Sequence, residues 1–108
     1  MCEFRHLYFG DNGYVVRCKE CGHYQVAFSS TVLTLDQKQF QQLRNITKRK
    51  CNECIDEIPA HIKNMILPTP ASSICMMLTK SEALCFSEIL ETADNEESAL
   101  SLLSLFRN

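Results

Sequence analysis

The sequence predicts an α+β domain. An antiparallel sheet of about five or six strands is covered by two or three helices and carries a zinc-ribbon-like Cys-x-x-Cys knuckle. Three observations lead there. Short β-branched and aromatic runs separated by turn residues fill the first third of the chain. Two capping boxes each follow a strand-like run and precede an amphipathic stretch. Cys18 and Cys21 stand at a bend between two of the strand-like runs.

Taken in order, Phe4 to Phe9 is aromatic-rich and runs into Asp11-Asn12-Gly13, a strong turn signal. Tyr14 to Cys18 is again β-branched and aromatic, so the two runs predict a hairpin with its tip near Asn12. That tip puts His6 opposite Cys18 and Cys2 opposite Gly22. After the knuckle, Tyr24, Val26 and Phe28 alternate with His23, Gln25 and Ala27, the period of a half-buried strand. Ser29-Ser30 turns the chain into a further strand, Thr31 to Leu35, with Leu33 and Leu35 on one face.

Asp36 and Gln39 form a capping box, and Phe40, Leu43 and Ile46 or Thr47 give the following helix its apolar stripe. Lys48-Arg49-Lys50 suit the negative end of its dipole. Cys51 to Ile58 is ambiguous, and Pro59 ends it. Lys63 to Leu67 predicts a strand, and Pro68-Thr69-Pro70 an extended connection. Ile74 to Leu78 predicts another strand, apolar on both faces and therefore central in the sheet.

Thr79 and Glu82 form the second capping box, opening a helix with Ala83, Phe86, Leu90 and Ala93 in register. Asp94-Asn95 reads as its end, and Glu96-Glu97 as the start of a last helix. That helix, with Leu100, Leu102, Leu103, Leu105 and Phe106, is apolar around most of its circumference. It suits burial on several sides, self-association or a protein partner. The order turn, strand, N-cap, helix occurs twice, from Ser29-Ser30 and from Ser72-Ser73, which argues for one shared sheet.

At 108 residues the chain has the size of a single domain, with hairpins, knuckle and helix in 1–50 and a strand–strand–helix–helix unit in 60–108. The apolar content of 45% and a net charge of −2 exclude a disordered chain and any global positive field toward nucleic acid or anionic membrane. No apolar run is long enough to span a bilayer, and the first residues lack a signal-peptide pattern, so a cytoplasmic setting is expected.

The seven cysteines are an odd count, and cytosolic thiols stay reduced, so the paired ones read as metal ligands. Cys18/Cys21 and Cys51/Cys54 both have the spacing that turns two thiolates toward one ion, and Gly22 after the first pair permits the left-handed backbone of a knuckle. A structural zinc held by Cys18, Cys21, Cys51 and Cys54 is the simple expectation. It has a geometric obstacle: a helix reaching Lys48 carries Cys51 about 20 Å from the knuckle unless it stops near Asn45. The alternative to the second pair is Cys2 and His6, brought alongside by the first hairpin. A redox reading is disfavoured because a strand, not a helix, follows Cys21. Cys75 and Cys85 sit in apolar segments as small buried hydrophobes.

No phosphate loop, nucleophile elbow or zinc-protease helix pattern occurs, and no catalytic residue is assigned. The run Arg44, Lys48, Arg49, Lys50 reads as a solvated helix end.

Asn12-Gly13-Tyr14-Val15-Val16-Arg17-Cys18-x-x-Cys21, then Gln25-Val26-Ala27-Phe28, Leu33-Thr34-Leu35 and Pro68-Thr69-Pro70, resembles a small uncharacterised protein family of Bacteroidetes, a domain of unknown function. The resemblance implies a bacterial cytoplasmic setting and carries no catalytic residues with it. The function expected is a non-enzymatic interaction or adaptor domain with a structural zinc. Its rival is a zinc-ribbon nucleic-acid-binding or ribosome-associated protein, for which Arg5, Arg17, Lys19 and Tyr24 would have to line up on one surface.

Overall fold

The computed structural model describes residues 3–53 and 61–106. Strands β1 (Phe4–Gly10), β2 (Gly13–Cys18), β3 (Tyr24–Phe28) and β4 (Thr31–Leu35) lead into α1 (Gln37–Asn52). Strands β5 (Lys63–Pro68) and β6 (Cys75–Thr79) lead into α2 (Lys80–Phe106). The α+β class is borne out, but the expected single sheet divides in two. β1-β2-β3-β4 form an antiparallel meander, and β5 and β6 pair only with each other among the described residues. β6 is therefore not a central strand.

The meander buries one face. Val15, Tyr24, Val26, Phe28, Leu33 and Leu35 point into a cluster with Phe40 and Leu43 of α1 and Ala83, Phe86, Ile89, Leu90 and Ala93 of α2. The alternation read in β3 and β4 sets this: successive side chains take opposite faces, and the apolar set takes the helix side. Leu67, Met76 and Leu78 bring the small hairpin into the same cluster. Tyr24 stacks on Phe40 with ring centroids 4.1 Å apart, and Phe28 on Phe86 at 4.6 Å. Such pairs add to what their buried area contributes.

Both capping boxes form. Asp36 accepts from the Gln39 N–H at 2.7 Å while the Gln39 side chain accepts from the Asp36 N–H at 3.0 Å. Thr79 and Glu82 repeat the exchange at 3.0 and 2.9 Å. The Thr79 N–H on its carboxylate, followed by Lys63, holds the Glu82 carboxyl below its ordinary pKa.

The expected helix break at Asp94-Asn95 does not occur, and α2 runs 27 residues, about 40 Å. Asp94 is occupied on the helix flank instead. It accepts from Gln41 at 2.9 Å and pairs with Arg44 at 3.4 Å, while Arg44 also pairs with Glu91 at 2.7 Å. This lacing of α1 to α2 takes Arg44 out of the solvated basic run. Cys75, expected to be buried, is exposed on the outer face of the small hairpin, and Cys85 is half-buried.

Candidate functional site

The chain between β2 and β3 turns within Cys18 to His23. The Cys18 N–H donates to the His23 carbonyl at 2.8 Å, and the Gly22 N–H to the Cys18 carbonyl at 3.0 Å. The Cys21 N–H points at the Cys18 sulfur, 3.4 Å away. Gly22 has φ +78°, and among the described residues a Cβ there would meet only the far end of Arg17, at 3.6 Å. The requirement for glycine at this position is conformational, not spatial: alanine would cost roughly 1–2 kcal/mol of left-handed strain.

Cys18 is buried and Cys21 exposed, and both line concavities on the two sides of the turn. One, about 260 Å³, also has Arg5, Arg17 and Lys19 in its wall. The other, about 330 Å³, has Phe4, His23 and Thr34.

The expected ligand sets are distributed as follows. Cys51 lies on the last turn of α1, and its thiol donates to the Ala83 carbonyl at 3.4 Å, at the start of α2. Glu97, which meets the strand side of the knuckle, is fourteen residues further along that helix, about 21 Å away. The helix does not stop at Asn45, and so Cys51 is kept apart from Cys18 and Cys21. Cys54 lies outside the described residues, as does Cys2.

The first hairpin closes with a two-residue turn, Gly10 paired with Gly13, and β1 bulges at Leu7. These two irregularities move the register, so Phe4 faces Cys18 and His6 faces Val16. His6 is thereby only a diagonal neighbour of Cys18, with its ring edge-on to Phe9 at 6.3 Å. Glu3 accepts the Lys19 N–H at 2.8 Å, so the first described residue of the chain lies against the knuckle. Among the described residues, no group of three or more His, Cys, Asp or Glu side chains converges on a common point.

An ion network that sequence reasoning missed holds the knuckle to α2. Glu97 is buried, and its Oε1 accepts from Arg17 at 3.1 Å, Arg5 at 3.2 Å and the Ser101 hydroxyl at 3.2 Å. The Arg17 Nε–H donates to the Gly22 carbonyl at 3.1 Å, and its guanidinium lies 4.8 Å above the Tyr24 ring. Burial pushes the Tyr24 phenol above its ordinary pKa. Arg17 thus joins the turn, the aromatic stack and the helix. A charged residue on the inner face of a strand whose neighbour Val15 is apolar was the available sequence signal. The basic residues of the nucleic-acid reading are matched by acids: Arg5 and Arg17 by Glu97, and Lys19 by Glu3 at 3.3 Å.

Beyond Glu97, only Leu100 among the described residues still packs against the core, and residues 101–106 are all exposed. The end of α2 is an arm projecting past the network, at the same end of the molecule as the knuckle.

Fold and site together define a small α+β protein in which a cysteine turn is braced by arginines against the root of a projecting helix. The chain belongs to DUF6686, a family of unknown function whose model matches residues 1–106. No curated protein and no solved structure matches it. Among the described residues, no helix is long and apolar enough to cross a membrane.

Proposed function

We propose that the chain is a non-enzymatic interaction domain. A structural zinc at the knuckle fixes the N-terminal hairpins, and the arm at the end of α2 is the face offered to a protein. The observation that carries this reading is Glu97: one buried carboxylate ties Arg5 of β1 and Arg17 of β2 to the last turn of α2 before the arm. A rigid knuckle therefore means a rigid arm root.

Cys18 and Cys21 are two of the zinc ligands. The directed Cys21 N–H and the left-handed Gly22 support that assignment. Cys2 of the alternative set is preferred as a further ligand, because its neighbour Glu3 accepts the Lys19 N–H within the Cys-x-x-Cys. The distance from Cys51 to the knuckle disfavours the Cys51/Cys54 pair, and the shifted register disfavours His6. When bound, zinc supplies a cross-link where two hairpins meet and no chemistry beyond that. The domain works in the cytoplasm, where its thiols stay reduced.

Metal analysis of protein purified without added zinc tests the ligand set. Cys18→Ser and Cys2→Ser should each lose zinc, while Cys51→Ser and His6→Ala should retain it. Retention in Cys2→Ser with loss in Cys51→Ser would reverse the assignment.

A further inference from the structure

We infer that the partner of the arm is the arm of a second copy of this chain, packed antiparallel about a two-fold axis. This deepens the reading of the arm as a docking face and rests on it. Leu102, Leu103, Leu105 and Phe106 are 57%, 53%, 71% and 84% exposed. At about 100° per residue, Leu102, Leu103 and Phe106 fall roughly opposite Glu97 on the helix. Ala99 falls with them. The helix therefore carries two apolar faces. One packs on its own core as far as Leu100, and the other points away from it and has no cover among the described residues. Among the described residues, the body of the same chain reaches that second face only by turning the helix over and exposing Phe86, Leu90 and Ala93.

The composition of the stripe selects its occupant. From Ser98 to Phe106 there is no charged residue, so a second copy meets no like charge across the contact, and a net charge of −2 per chain adds little repulsion. Ala99, Ser101 and Ser104 are small enough to let two helices approach closely. A projecting ridge offers no pocket of its own, but two antiparallel ridges fill each other's grooves, the self-complementary contact that two-fold symmetry requires. Leu102, Leu103 and Phe106 expose roughly 400 Å² of apolar side chain on each arm, so the pair buries at most about 800 Å², the size of a weak, transient contact. The dimer is accordingly reversible and concentration-dependent.

The chain contains no tryptophan, so Phe106→Trp places a single reporter on the stripe. Mass by light scattering and tryptophan emission are read together over a concentration series of the full chain. The wild type should rise from monomer to dimer mass, and the emission of Phe106→Trp should move to shorter wavelength over the same range. Leu102→Lys/Phe106→Lys, at two exposed positions, should keep the circular dichroism of the wild type and remain monomeric. A monomer at every concentration with water-like tryptophan emission overturns self-pairing and leaves the arm as an exposed docking face. A monomer whose tryptophan emits at short wavelength at all concentrations overturns the arm reading as well, because the stripe is then covered by its own chain. A dimer that survives the double lysine substitution overturns the pairing through this helix.

Discussion

Gly13→Ala should abolish cooperative folding or lower the midpoint of a urea transition by the largest amount of any single methyl added to this chain. Gly13 opens β2, pairing with Gly10 on one side and Phe28 on the other. A Cβ built there would lie 1.9 Å from the Ala27 carbonyl oxygen and 2.9 Å from its carbon, with φ at +158°. Those neighbours are backbone of the adjacent strand, not the movable end of a side chain. Relief requires β2 and β3 to part where Val15 and Val26, both fully buried, face each other across the pair. Inserting a methyl into a packed core that must shift costs about 1–3 kcal/mol, and a backbone collision in a central strand belongs at or above the top of that range. Against a total stability of about 5–15 kcal/mol the loss is large. Gly10→Ala is the control. Its Cβ meets the Tyr8 side chain, with the phenol oxygen at 2.5 Å, and that half-buried ring can swing aside. A wild-type midpoint for Gly13→Ala would show that β2 and β3 do not lie as described.

Arg17→Met should cost about 2–4 kcal/mol, because it leaves the buried Glu97 carboxylate short of a cation and the Gly22 carbonyl short of a donor. Methionine keeps much of the stem that covers Tyr24, so the loss reports the charged head. Glu97 is poorly placed to absorb it, since its Oε2 is already buried with no hydrogen-bond partner. Arg5, more exposed than Arg17, remains as the only cation on the carboxylate among the described residues. The double variant Arg17→Met/Glu97→Gln removes both the deficit and its cause, so it should be less destabilised than the two single changes added together. A coupling of about 1–3 kcal/mol is expected from the cycle. Strict additivity would mean that the two side chains do not act on one another, and the link from knuckle to arm would be lost with them.

The sequence made the local recipe legible. The strands, both capping boxes, the inward set Tyr24, Val26, Phe28, Leu33 and Leu35, and the helix stripe Phe40, Leu43 and Ile46 or Thr47 follow from periodicity and cap chemistry; the structure has them, with Thr47 buried and Ile46 half-buried. The errors came where one residue changes a long-range relation. A bulge at Leu7 lets both Leu7 and Tyr8 turn toward the core, and strand periodicity does not announce it. Together with the shorter turn, it moved His6 away from Cys18. Asp94 and Asn95 are weak helix breakers, and pairing with Gln41 and Arg44 on a helix far away in sequence outweighed their preference. β6 looked central because Cys75 and Met77 are apolar, yet both are exposed on a hairpin covered on one face only. The Arg5–Glu97–Arg17 network joins residues 92 and 80 positions apart, beyond any local pattern. The expectation of an uncharacterised family is met by the match over 1–106.

Thermal unfolding of anaerobically purified full-length protein, with zinc content measured on the same sample before and after a strong chelator, tests the knuckle most directly. The expected result is about one zinc per chain and a clearly lower midpoint once it is removed, with the near-ultraviolet signal of the tyrosines changing alongside. A well-folded, metal-free sample whose midpoint is the same with and without chelator would contradict it.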